Sequence, residues 1–333
     1  MSSTELPGGD GGRPAPRWHA PVGRALTVLF LVATAVTVAV MLRGQDWSAL
    51  GTSLRSRPPE SLAVLVGLAV LANAAALLAA MFGWWSLLAG ISAGVTGTGA
   101  ARIFFVGQFA KYLPGKVFAL VVSVRMGRAM NVSALRMTSA WLLTLVIGLL
   151  TGATVGLAAG PRVLGGSVAW LALAALPIVA VVVRPDLIGR VAALVARLRR
   201  RPPPDTTLPG HVLRRTVLIQ LLSWLAGGLH LWFLVIAMGA DPAGSFLLCV
   251  GVFSLGAVAG MFAVFTPEGL GVREVLLLGA LSLVLPLPAA GVVALVSRLV
   301  AIVSELVTAG AGLAVTEWVR RRPTTRRELA MTD

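Results

Sequence analysis

Charged and polar residues crowd into a few stretches of this chain and leave long apolar runs between them. The runs lie at about 24–42, 61–89, 137–159, 167–183, 216–238, 244–265, 271–286 and 289–316. A membrane-spanning helix needs about 20 mostly apolar residues. Each run therefore predicts a span, the seventh being short. The first is longer than the core of a signal peptide and no small-residue cleavage site follows it, so it predicts a retained helix. The segment 102–128 is apolar too, but Lys111, Pro114, Gly115, Lys116 and Arg125 interrupt it. Broken backbone is tolerated in hydrocarbon only where it is buried in protein or lines a wet cavity. Two readings stand for this stretch. One is a re-entrant hairpin with its tip near Pro114. The other is an interfacial amphipathic helix whose lysines reach the headgroups. The pattern as a whole predicts an all-α, polytopic transmembrane bundle of about eight spans plus re-entrant or broken helices.

A second interruption, around Pro267, resembles the first. With Pro267 set on Pro114, Gly260 falls on Gly107, Phe262 on Phe109 and Phe265 on Tyr112, at a spacing of 153 residues. Paired Gly/Pro breaks in two halves of a membrane chain point to a transporter-type site and suggest a two-half repeat. Charge inside a span is costly and marks candidate function. That criterion selects Glu268, Arg273 and Glu274 beside the second break, and Lys111 and Lys116 beside the first. Arg298 and Glu305 lie seven residues apart in the last span, hence on one helix face. The alternative for Arg273 and Glu274 is that they neutralise one another or lie at the interface. His230 and Asn73, polar within spans, are expected to bond between helices. Gly148, Gly152, Gly156 and Gly160 recur every four residues, a spacing that lets helix backbones approach closely.

Composition sharpens this picture. Of 333 residues, 57% are apolar and only 12% charged, too few to cover a soluble protein of this size. The charge is +15, and 26 of the 28 basic residues are arginine, as in the product of a GC-rich bacterial genome. That bias makes Lys111 and Lys116, the two lysines, conspicuous; they flank Tyr112, the single tyrosine. Basic residues mark cytoplasmic loops. With both ends cytoplasmic and 102–128 returning to its side of entry, 23 basic residues lie inside and Arg43, Arg55, Arg57 and Arg162 outside. The expected layout is a disordered cytoplasmic N-terminus (1–20), one transmembrane domain (21–316) and a cytoplasmic tail (317–333). Within the domain, halves 21–183 and 213–316 flank a basic, proline-containing linker, 184–212. Cys249 is alone, and no metal-ligand or nucleotide-binding motif occurs, so no cofactor or metal is expected. The basicity is assigned to lipid headgroups, not nucleic acid.

The segments GQFAKYLPGKVFALVVSVRMGR (107–128) and FTPEGLGVREVLLLGAL (265–281) resemble the family containing the transmembrane region of lysylphosphatidylglycerol synthase, the flippase-like membrane proteins. The first is matched through Gly107, Gln108, Pro114, Gly115 and Lys116. The second is matched through Pro267, Gly269, Gly271 and Glu274. The span pattern agrees over about 20–316. The resemblance implies lipid movement between leaflets of the cell membrane. It does not imply lysyl transfer, since the aminoacyl-transfer domain of the synthase is expected to be absent and the chain is not expected to be an enzyme. The predicted site is a headgroup cavity of Gln108, Lys111, Tyr112, Pro114, Gly115, Lys116, Pro267, Glu268, Gly269, Gly271, Arg273, Glu274, Arg298 and Glu305. Its expected ligand is an anionic phospholipid or a polyprenyl-phosphate-linked lipid. The alternatives are a membrane-embedded transferase and a non-transporting partner of a cell-envelope lipid or glycan enzyme.

Overall fold

The structure, a computed structural model, describes residues 57–110, 117–159, 208–262 and 271–321, with isolated positions at 43, 47, 48, 51, 55, 176, 179, 180, 183, 184 and 269. Eight α-helices run through the described residues: α1 (Pro59–Ile91), α2 (Gly97–Ala110), α3 (Val117–Arg128), α4 (Ala134–Gly156), α5 (Gly210–Ala237), α6 (Pro242–Phe262), α7 (Val272–Leu281) and α8 (Leu287–Arg321). A 3-10 turn, Leu157–Ala159, ends α4. The helices start where the chain allows it. Pro59 occupies the first turn of α1, where a missing N–H costs nothing. Ser133 caps α4 by accepting from the Arg136 N–H.

Five helices, α1, α4, α5, α6 and α8, are long and apolar enough to cross a membrane. They correspond to the predicted spans 61–89, 137–159, 216–238, 244–265 and 289–316. Large apolar side chains such as Leu71, Leu222, Leu299 and Val307 point outward, as they would toward lipid. The predicted span 271–286 instead holds α7, whose 10 residues reach only about 15 Å. Pro286 and Pro288 follow, and the chain turns at 282–286 before α8 begins. The runs 24–42 and 167–183, most of the linker and both ends lie outside the described residues.

The repeat suggested by 153 residues holds for every described helix. Shifted by that amount, α1 falls on 212–244, α2 on 250–263, α3 on 270–281 and α4 on 287–309, against α5, α6, α7 and the first part of α8. The packing repeats as well. α1 lies on α2 as α5 lies on α6, and α2 on α3 as α6 on α7. α3 meets α4 as α7 meets α8, and α1 meets α4 as α5 meets α8. Between halves, α2 packs on α8 as α6 packs on α4, and α8 on α1 as α4 on α5. The α1–α5 pair is its own counterpart.

That central pair is antiparallel. Arg57 donates to the Ile236 carbonyl at 3.4 Å, Ser223 donates to the Ala76 carbonyl at 2.8 Å, and Gly90 lies against Val212. As one number rises the other falls. Equivalent positions of the two helices therefore meet near Asn73 and Ala226, and the halves are related by an axis perpendicular to both helices. Each hairpin begins at the C-terminal end of α1 or α5, so the α2–α3 and α6–α7 hairpins start from opposite ends of the bundle.

Two further buried bonds repeat with this symmetry. Asn73 of α1 donates to the Ser304 hydroxyl of α8 at 2.6 Å. The Trp224 indole of α5 donates to the Thr151 hydroxyl of α4 at 3.0 Å. Thr151 and Ser304 are 153 residues apart. The glycines of α4 serve packing inside the chain: Gly152 sits against Trp224 and Val258, and Gly156 against Leu255. Gly160 lies outside the described residues.

Candidate functional site

The second break is built on glycine. Gly269 has φ 67° and Gly271 φ 96°, both in the left-handed region that favours glycine. The Gly269 backbone also lies against that of Gly260, leaving no room for a Cβ. This close approach of hairpin arms starts α7 inside the bundle. The Gly271 N–H donates to Glu274 Oε2 at 2.6 Å, so the carboxylate reaches back over the first turn. A carboxylate there also complements the positive end of the helix.

Glu274 holds a second partner. Arg298 Nη1 of α8 lies 3.6 Å from Glu274 Oε1, and each side chain is 12% exposed. This partner of Glu274 is on another helix and is not the adjacent Arg273. Adjacent helical residues diverge by about 100°, and Arg273 turns instead to α6. There its guanidinium sits 4.8 Å from the centre of the Phe253 ring, with its stem against Gly256. Arg273 is 8% exposed. Among the described residues, two guanidinium groups and one carboxylate gather at this helix start, groups of the kind that hold anions. Among the described residues no three His, Cys, Asp or Glu side chains come together for a metal ion.

Next to the ion pair lies a polar contact that sequence reasoning left outside the site. His230 of α5 is fully buried, with Nε2 2.9 Å from Ser297 Oγ of α8 and Nδ1 2.5 Å from the Gly227 carbonyl. The interhelical hydrogen bond expected of His230 is present. What was missed is its neighbour: Ser297 directly precedes Arg298. The signal lay in the 153-residue comparison, which sets Leu77 opposite His230.

Of the other predicted residues, Glu305 is half-buried two turns beyond Arg298 on α8. Gln108 is half-buried in the last turn of α2, and no hydrogen bond among the described residues links it to the cluster. Lys111, Tyr112, Pro114, Gly115, Lys116, Pro267 and Glu268 lie outside the described residues. The structure thus joins Gly269, Gly271, Arg273, Glu274 and Arg298 around one helix start.

No curated protein matches the chain. The family described as lysylphosphatidylglycerol synthase TM region matches residues 25–307, which takes in all the described helices except the end of α8. The chain is an integral membrane protein, and it belongs to the lysylphosphatidylglycerol synthase transmembrane-region family.

Proposed function

We propose that this protein is a lipid translocase of the cell membrane. It moves an anionic phospholipid or a polyprenyl-phosphate-linked lipid between leaflets and makes no covalent change to it. The observation that carries this reading is the buried Glu274–Arg298 pair with Arg273 beside a helix break. Shifted by 153 residues, Arg273, Glu274 and Arg298 fall on Leu120, Val121 and Leu145. The equivalent helices of the first half are therefore built without charge at these three positions. A charged side chain at the bilayer centre costs about 2.5–3.5 kcal/mol on insertion scales, and packing alone does not ask for it. Two broken hairpins from opposite ends of antiparallel halves support the reading further, because such breaks place backbone N–H groups and helix ends at mid-membrane.

The ends of the bundle differ in charge. The C-terminal ends of α1, α3 and α8 and the N-terminal ends of α2, α4 and α5 share one end, which carries Arg102, Arg125, Arg128, Arg136, Arg214, Arg215, Arg320 and Arg321. Among the described residues, the opposite end carries Arg55 and Arg57 with Glu60 and Asp241, while the first end has Glu317 beside Arg320 and Arg321. Basic residues favour the cytoplasmic side, which supports a multi-pass orientation with both chain ends in the cytoplasm.

Reconstitution in vesicles containing a fluorescent phosphatidylglycerol and a leaflet-selective quencher tests the function. Wild-type protein should bring inner-leaflet probe within reach of the quencher faster than empty vesicles do. Lys116→Ala and Glu274→Gln should abolish this gain with expression and detergent behaviour near normal. Wild-type rates kept in both variants would refute the site. No gain with the wild type would favour a transferase or a non-transporting partner of an envelope enzyme.

A further inference from the structure

We infer that His230, acting through Ser297, is a positioning residue that sets Arg298 of α8 against Glu274 of α7. The inference takes from the proposed function only the role of the charged cluster, not its construction.

A carbonyl oxygen only accepts, so the short contact to Gly227 places the ring proton on Nδ1 of His230. In the neutral ring, Nε2 is then an acceptor, and Ser297 Oγ donates to it at 2.9 Å. Both groups are fully buried. This bond holds α8 in rotation locally, as Asn73 does at Ser304 two turns on: with Ser297 turned to α5, the next residue, about 100° further round, meets α7. That residue is Arg298. The same imidazole packs edge-on against Phe253, with ring centres 5.1 Å apart and planes at 76°. Phe253 is the ring under Arg273. His230 therefore governs the seating of both arginines, one through a serine and one through an aromatic face.

Packing alone does not require a histidine here. The equivalent position in the first half is Leu77, where the equivalents of the charged residues are apolar. The counterpart of Ser297 is Thr144, whose hydroxyl donates to its own helix at Ala140 at 2.9 Å. A polar link from α5 to α8 thus exists in the half that holds the Glu274–Arg298 pair.

The test is a coupling measurement on purified full-length protein in detergent. Thermal midpoints are taken for Glu274→Gln, Arg298→Gln and the double variant, each in wild-type, His230→Leu, His230→Gln and Ser297→Ala backgrounds. In the wild type, the double variant should fall little below the worse single variant, because either change breaks the same pair. His230→Leu and Ser297→Ala should make the two effects additive. His230→Gln, whose amide can donate to Gly227 and accept from Ser297, should restore non-additivity. A merely structural histidine would lower every midpoint and leave the coupling unchanged, which would overturn the proposal. If His230→Leu does not yield folded protein, Ser297→Ala, which removes one oxygen, decides the matter. In the vesicle assay, His230→Leu should raise the half-saturating fraction of fluorescent phosphatidylglycerol about tenfold, with His230→Gln close to wild type. If wild-type protein moves no lipid, the translocation reading fails, while the coupling in detergent still settles the positioning role.

Discussion

Gly148, Gly152 and Gly156 are indistinguishable in the sequence and differ in their surroundings. A Cβ on Gly148 would touch nothing within 4 Å, whereas one on Gly152 would come 2.7 Å from the Trp224 ring and from Val258. On Gly156 it would lie 2.6 Å from Leu255 Cγ. Gly148→Ala should therefore change stability by less than about 0.5 kcal/mol. Gly152→Ala should cost about 1–3 kcal/mol, since the indole is held by Thr151 and cannot move aside freely. Thermal unfolding in detergent distinguishes the two, and equal losses would contradict the packing. The four-residue spacing of the glycines was legible in the sequence. Which of them touch another helix was not, because that depends on where α5 and α6 pass. Glu274 teaches the same lesson. Its exposure to a helix break could be read from Pro267 and Gly271, but its partner, Arg298, is supplied by another helix. Local order suggested Arg273, which the helical turn directs elsewhere.

Long, uninterrupted helices were legible to within a few residues because twenty apolar positions in lipid have few alternatives. The element misjudged, α7, is short because Gly271 starts it and the Pro286–Pro288 region stops the chain from continuing straight. The crossing of α1 and α5 was not legible at all, although Ser304 and Thr151, which tie α1 to α8 and α5 to α4, sit 153 residues apart. These two bonds are predicted to be unequal in strength. After Asn73→Ala, Ser304 keeps its bond to the Ala301 carbonyl at 3.1 Å, so the loss should be about 0.6–1.7 kcal/mol. Thr151→Val strands the buried Trp224 N–H and should cost more, about 1–3 kcal/mol. The bonds join different helix pairs and share no atom, so the double variant should be additive within about 0.5 kcal/mol. Midpoints of the three variants check this. A double variant no worse than Thr151→Val would mean that the two staples are one network.

For the molecule as a whole, antiparallel halves turn charge counts into a topology that labelling can check. Each half contains the same described plan: a long helix, a hairpin that returns to its starting end, and a second long helix. A returning hairpin adds no crossing. Counted by the 153-residue repeat, in which the predicted run 167–183 precedes α5 as 24–42 precedes α1, each unit would gain one crossing, giving three. Three is odd, so the second half enters the membrane from the side opposite to the first, as the antiparallel α1–α5 pair requires. Cysteines at Arg102 and Arg128, both exposed at the base of the first hairpin, should then react with an impermeant thiol reagent from one side only. Cysteines at Asp241 and Leu283, exposed at the base of the second, should react only from the other. In the proposed orientation, the eight arginines at the first-hairpin end of the bundle face the cytoplasm. In intact cells, positions 241 and 283 should label and positions 102 and 128 should label only after permeabilisation. Reporter fusions should agree, reading external after residue 50 and cytoplasmic near 205 and 328. Labelling of 102 and 128 from opposite sides would make 102–128 a full span and reverse every later crossing. Labelling of 102 and 241 from the same side would leave the halves parallel in the membrane, which the contacts of Gly90 with Val212 and of Arg57 with Ile236 do not permit.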